Sequence, residues 1–347
     1  MTKFSTTTFA HAPAAQSNAQ QSAQVANARR TELAAAMTHR RSSQVPPQTK
    51  ATHQLQQPTL SDSAVTAATS APDAGHVIAR SAFTYGEVLA SGNFGVVFRG
   101  RYGGADVAVK QLLGDFDAKV REDAIREASM MRRIPPHPHV VLFYGICVDG
   151  DRLLILTDLC DGGDLRSYVQ KHHDIPNAAL FDLCLQVAAG MAHLHSLQPT
   201  MLHRDLAARN VLLLQRGSRL LAQVADFGMS RTLQSGANHY SVQHSVPFRW
   251  TAPEVLSSRQ ALPASDVWSF GVLAWEAFSF GALPYGNLPD HAAVVAAIVR
   301  DRRRLACPER LSTSQWQVFD SCLAYDPHAR PDFVALGRSM DARRTNY

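Results

Sequence analysis

The spacing of apolar and polar positions changes near residue 80. From residue 83 to 112 apolar and polar residues alternate, broken by glycines. This predicts three antiparallel strands: one ending near Ala90, one over residues 96–101 and one over residues 106–112. Residues 119–134 switch to helical spacing, with Ile125, Ala128 and Met131 on one face, until Pro135-Pro136 ends the run. Two more apolar runs, residues 140–148 and 153–159, flank the turn Asp149-Gly150-Asp151 and predict another hairpin. Beyond them a helical period dominates. Residues 178–195 set Leu180, Leu183, Val187, Met191 and Leu194 on one stripe. Later helices are expected over residues 265–278, 290–299, 314–323 and 333–340. The expected fold class is α+β, with a small five-stranded antiparallel lobe, a larger helical lobe and a cleft between them suited to a ligand.

Composition separates the first 78 residues from the rest. They are rich in Ala, Gln, Ser and Thr, with scattered Pro and hardly any aromatic residues. Such a stretch cannot bury enough apolar surface to offset its ordering entropy, so a disordered tail is expected over residues 1–78. One folded domain is expected over residues 79–347, with its small lobe at 79–157 and its large lobe at 161–347. The formal charge of +5 is similarly split, because residues 1–80 hold seven Lys/Arg against three Asp/Glu. The remainder is nearly neutral, which argues against a nucleic-acid-binding surface. The five cysteines, Cys147, Cys160, Cys184, Cys307 and Cys322, include no Cys-x-x-Cys and are odd in number. They suggest neither a disulfide framework nor a zinc site, and point to a reducing intracellular setting, cytoplasmic by default. With no uninterrupted run of 18 apolar residues, no membrane span is expected. Thr2 excludes the usual myristoylation signal.

Several short segments carry chemistry. Leu89-Ala90-Ser91-Gly92-Asn93-Phe94-Gly95-Val96-Val97 is a glycine-bearing turn between two expected strands. Without Cβ atoms, backbone N–H groups can approach phosphates there, although a lone pair of hairpin glycines is more often a simple turn. Val107-Ala108-Val109-Lys110 ends an apolar strand on a lysine, and Glu127 lies on the following helix. In His203-Arg204-Asp205-Leu206-Ala207-Ala208-Arg209-Asn210, a carboxylate able to accept a hydroxyl proton precedes by five residues a carboxamide able to hold a metal ion. Asp226-Phe227-Gly228 follows an apolar run, and Ala252-Pro253-Glu254 closes the segment after it.

At residues 203–210 the chain plainly resembles the protein kinase family, and the resemblance extends over about residues 83–340 with every major motif in order. It implies a bilobal fold, ATP and Mg²⁺ as cofactors, and protein substrates. It places Asp205 as catalytic base, Asn210 and Asp226 as metal ligands, and Lys110 on the phosphates in an ion pair with Glu127. Gly92 and Gly95 fill two of the three loop glycines, with Ala90 in the first place. Leu89, Val97 and Ala108 would lie above the adenine and Leu212 below it. Thr157 falls at the gatekeeper position, with hinge backbone contacts at Asp158 and Cys160 and a ribose contact at Asp164. Arg330 would pair with Glu254, and Asp266 would brace the catalytic loop.

Ala207 stands where serine/threonine kinases usually carry lysine, and Arg209 follows Asp205 by four residues, the tyrosine-kinase pattern. Pro247-Phe248-Arg249-Trp250 matches that group's platform for an aromatic acceptor. Residues 103–110 and 137–145 are similar instead to the tyrosine-kinase-like group, mostly serine/threonine enzymes. Tyrosine transfer to accessible tyrosines is therefore expected. Dual or serine/threonine specificity remains the alternative, and a nucleotide-binding scaffold is a reading of a different class. Tyr240, the sole tyrosine between Asp226 and Glu254, and Arg204 form the expected regulatory pair.

Overall fold

The computed structural model describes residues 77–92, 95–112, 125, 128, 129, 131–226, 231, 232 and 247–344. The expected tail through residue 76, Glu127, Phe227-Gly228 and Tyr240 lie outside them.

The small lobe is a five-stranded sheet. Its strands are β1 (Phe83–Gly92), β2 (Gly95–Tyr102), β3 (Ala105–Leu112), β4 (Phe143–Asp149) and β5 (Arg152–Asp158). They pair antiparallel in the order β1-β2-β3-β5-β4. Gly103 and Gly104 take φ of 57° and 81° between β2 and β3, the conformation a two-residue hairpin turn requires. The register sorts the side chains into two faces. Val97 lies opposite Lys110, and Ala108 opposite Thr157, so these four share one face. Val107, Val109, Leu154 and Leu156 point the other way, into a core completed by Phe83, Tyr102, Leu142, Tyr144 and Cys147. Gly95 is required by the sheet itself, because a Cβ there would lie 2.3 Å from the Gln111 carbonyl oxygen. The chain enters across β4. Ile78, on the tail side of the expected boundary, is buried in this core, and its N–H donates to Ile146 O at 2.6 Å. Of the expected helix at 119–134, Ile125, Ala128, Ser129, Met131 and Arg132 are described and helical.

The large lobe holds α1 (Leu165–Lys171), α2 (Asn177–Ser196), α3 (Pro253–Ser258), α4 (Pro263–Phe278), α5 (His291–Val299), α6 (Thr313–Asp320) and α7 (Phe333–Asp341). Between α2 and α3 come β6 (Met201–Leu202), the hairpin β7 (Val211–Arg216) and β8 (Arg219–Val224), and β9 (Arg231–Thr232), which pairs with β6. Helix α4 is buried along nearly its whole length, with Trp268, Phe270 and Phe278 packed into one core with Phe181, Phe319 and Phe333. Helix α2 is long and apolar enough to cross a membrane, with mean hydropathy 1.2 over its window. Half of that window is buried inside the protein, and Leu180, Val187, Met191 and Leu194 sit in the large-lobe core. It passes by average hydropathy although polar residues such as Asp182 and Gln186 interrupt the apolar run. Asp164, Asp290, Ser312 and Asp332 each accept a backbone N–H at the start of α1, α5, α6 and α7.

Candidate active site

The segment from β6 to β7 is held against α4 at both ends of that helix, by Asp266 in its first turn and Glu276 in its last. The fully buried Asp266 carboxylate accepts His203 N–H at 2.8 Å, Arg204 N–H at 2.9 Å and His195 Nε2–H at 3.0 Å. Burial alone would raise this carboxyl group, but the hydrogen bond and charge of His195 and the Arg204 N–H together hold it below the usual range. Arg204 takes φ of 67°, an unfavourable region for a non-glycine residue, and the Asp266 contact fixes it there. His203 Nε2 faces the Ala225 carbonyl at 2.9 Å. A carbonyl only accepts, so Nε2 carries the proton and Nδ1 is left to accept Asp205 N–H at 3.3 Å.

Asp205 is thereby presented with its side chain mostly covered. Its carboxylate accepts from the Arg209 guanidinium in a very close contact and from Asn210 Nδ2 at 2.9 Å. Asn210 Nδ2 also reaches the Asp205 backbone oxygen at 2.6 Å, which turns the amide oxygen to the opposite side. Burial pushes the Asp205 carboxyl up; the Arg209 charge and the Asn210 bond offset only part of that. Asn210 is joined to the next motif by Ala225 N–H on its carbonyl at 2.9 Å. Lys110 Nζ then bonds both Asp226 carboxylate oxygens at 2.8 Å. The expected partner Glu127 lies outside the described residues, so Asp226 is the lysine's described partner. One lysine from the small lobe thus meets Asp226, and through Asn210 the Asp205 carboxylate.

A second network flanks Asp205. The Arg209 guanidinium lies over the Trp250 ring, 4.7 Å from its centroid. Trp250 Nε1 donates to Glu276 Oε2 at 3.1 Å, and the same oxygen accepts Ala208 N–H at 3.0 Å. Burial pushes the Glu276 carboxyl up, against these two donors and the Arg166 and Arg209 charges. Arg249 bonds the carbonyls of Pro284 at 2.9 Å and Tyr285 at 2.6 Å, fixing the loop before Trp250. Arg330 forks onto Glu254 at 2.8 and 2.9 Å with its side chain fully buried, and Ser265 Oγ adds a third donor at 2.8 Å.

Four of the expected nucleotide residues are brought together by the strand register. Val97, Ala108, Lys110 and Thr157 share the sheet face described above. Asp158 turns its carboxylate to Tyr144 O–H at 3.1 Å, and its N–H donates to Leu142 O at 2.8 Å. Gly162 N–H and Gly163 O are tied to Leu213 at 2.8 Å each, which sets Leu212 beneath the segment 158–163. Leu89 is exposed near the end of β1. Asp164, the expected ribose contact, accepts Ser167 N–H at 2.9 Å as the N-cap of α1. Tyr144, His195, Gln223, Ser265 and Glu276 were not singled out as site residues from the sequence. His195 and Glu276 meet partners 71 and 68 residues away, and no local spacing signals such a contact.

A five-stranded lobe and a helical lobe that bring a lysine, two aspartates and an asparagine together in this way are the arrangement of a protein kinase. The model for the protein tyrosine and serine/threonine kinase family matches residues 83–340, and the chain belongs to that family. It is 35% identical over 266 residues to tyrosine-protein kinase SYK of Gallus gallus, covering 75% of this chain and 41% of that protein. It is equally identical, over 76% of this chain and 30% of the relative, to the tyrosine-protein kinase transforming protein Fps of Fujinami sarcoma virus. Tyrosine-protein kinase Fer of Rattus norvegicus is 34% identical over 74% of this chain and 30% of its own length. The chain thus spans less than half the length of these relatives. Membership implies, in general terms, use of ATP and a divalent cation.

Proposed function

We propose that the chain is a protein-tyrosine kinase that transfers the γ-phosphoryl group of Mg²⁺-ATP to tyrosine hydroxyls of protein substrates. The supporting observation is Arg209, whose guanidinium joins the Asp205 carboxylate to the Trp250 ring, while Ala207, two residues after Asp205, carries no long cationic side chain. A charge set back in this way keeps room for a phenol beside the base. The relatives, tyrosine-protein kinases by name, favour the same acceptor. Asp205 would accept the hydroxyl proton and Lys110 would hold the α- and β-phosphates. Among the described residues no group of three or more His, Cys, Asp or Glu forms a metal cage. The hard oxygens of Asp226 and Asn210 instead suit Mg²⁺, which takes one or two protein ligands and completes its shell with substrate phosphates and water. The bound ion would neutralise charge on the transferring phosphoryl group. The kinase unit is proposed to span residues 79–347 in a cytoplasmic setting.

Incubation with ATP, Mg²⁺ and mixed peptides, followed by mass-spectrometric mapping, tests this reading. Phosphotyrosine is expected, at a turnover of roughly 1–100 per second. Phosphate on serine and threonine alone would replace it with the tyrosine-kinase-like reading, which the 137–145 segment favours.

Two further outcomes are expected. Adenine is proposed to bond the backbone at Asp158 and Cys160, between Val97 and Ala108 above and Leu212 below. Leu89 would join Val97 and Ala108 above the adenine, Gly92 and Gly95 would cover the phosphates, and Asp164 would reach the ribose. Thr157→Met should weaken inhibitors that reach behind Thr157 far more than ATP, and equal losses in competition assays would refute the placement. Tyr240 is proposed as an activating phosphorylation site that pairs with Arg204. In wild type, ATP preincubation should remove an initial lag, whereas Tyr240→Phe should gain nothing from preincubation and reach a lower final rate; an identical time course would remove Tyr240 as the switch.

A further inference from the structure

Gln223 lies on β8 three residues before Asp226 and is only 1% exposed. A carboxamide buried this deeply costs free energy unless both its ends are satisfied. Nε2 donates to the Pro138 carbonyl at 3.1 Å. Because that carbonyl can only accept, the amide has one orientation, with Oε1 turned to Cys160, whose Sγ–H donates to it at 3.2 Å. Burial, with added repulsion from Asp158 and Asp161, pushes the Cys160 thiol up to about 12. The thiol therefore keeps its proton and remains a donor throughout the physiological range.

Two parts of the proposed nucleotide surface and the segment leading into β4 converge on this side chain. Cys160 belongs to the segment proposed to bind adenine through its backbone. The Gln223 backbone pairs with Leu212, the proposed floor. Pro138 opens the segment that leads into β4, and that segment is laced to β8. Val224 N–H donates to His139 O and Val141 N–H to Val224 O, both at 2.9 Å, and His139 Nδ1 meets Ala222 O at 3.0 Å. The backbone bonds hold β8 to the 138–141 segment, while the thiol–amide bond reaches across to the hinge.

We infer that Gln223 is a positioning residue for nucleotide binding, which sets the height of the Cys160 backbone above Leu212 by tying the Cys160 thiol to the Pro138 carbonyl. The inference rests on the hinge placement given under Proposed function. Gln223 touches no reacting atom, so its loss should act on ATP binding and leave the transfer step alone.

Steady-state kinetics of the full chain with varied ATP test this. Gln223→Met keeps the length and removes both hydrogen bonds. It should raise KM for ATP about three- to tenfold, with kcat within twofold of wild type. Cys160→Ala should raise KM over the same range. The double variant should be no worse than the stronger single one, because both changes remove one shared contact. A wild-type KM in Gln223→Met overturns the inference, including when its melting temperature falls, since the side chain would then be structural only. Effects that multiply in the double variant overturn it as well. If Gln223→Met does not fold, Cys160→Ala decides alone, and an unchanged KM is the overturning result. Thr157→Met separates the two levels. If it spares inhibitors that reach behind residue 157, the hinge placement itself is wrong. If it weakens them while Gln223→Met leaves KM unchanged, only the inference fails.

Discussion

Asp205→Asn is expected to lower turnover by about 10²–10⁴-fold while ATP affinity stays within about twofold. The substitution changes one atom and keeps the volume, so the site should remain assembled. The amide cannot take up the acceptor's proton, and general-base assistance is lost. The new amide would also face Arg209 and Asn210, both donors to the native carboxylate, so one side of it is mismatched. Nucleotide contacts are proposed at Lys110, the sheet face and the hinge, none of which includes the Asp205 side chain. Single-turnover phosphoryl transfer and equilibrium nucleotide binding, measured on the same preparation, separate the two quantities. Wild-type transfer by Asp205→Asn would remove Asp205 as the base. Loss of nucleotide binding together with transfer would mean that Asp205 acts in assembling the pocket.

The parts of the site that were readable in the sequence are those whose chemistry sits in contiguous residues. Residues 203–210 carry carboxylate and carboxamide five apart, and the fold brings both to one point through a single short 3-10 turn, Ala208–Asn210. The sheet was legible because glycine and alternation mark its strands, and the observed bounds differ from the expected ones by only a few residues. The run at 140–148 is an exception: its first three residues stay outside β4, and Val140 and Val141 bond to β8 at Val224 instead. Helices α1 and α3, of seven and six residues, are too short for a helical period to stand out. Hairpin β7–β8 was half visible as an apolar run, but its turn at Gly217 follows two polar residues that mask the alternation. The residues that fix the site's geometry were the hardest to find. Glu276 looks like one charge at the end of an apolar helix until Ala208 and Trp250 are seen to share its oxygen. Asp164, expected at the ribose from its position, also caps α1 by accepting Ser167 N–H on one carboxylate oxygen, a contact its place in the motif did not signal.

Asp266→Asn should cost about 2–4 kcal/mol of folding stability at pH 7 and reduce activity without touching any reacting group. The native carboxylate accepts three donors in a fully buried site, two of them backbone N–H groups of adjacent residues. Asparagine has one accepting oxygen, and its NH₂ must face at least one of those donors, leaving both groups buried without a partner. The strain at Arg204 adds to this, because its left-handed φ of 67° persists only while Asp266 holds the N–H. Relaxation there would carry Asp205 away from Lys110 and Asp226. The pH dependence has a definite sign. The folded Asp266 carboxyl lies below its unfolded value of about 3.9, so its contribution is present above that pH and is lost as pH falls through the lower folded value. Urea titrations at pH 7 and at pH 3 should therefore separate wild type from Asp266→Asn more widely at the higher pH. Equal separation at both would mean that shape, and not the ionised carboxylate, is what the catalytic loop requires of this position.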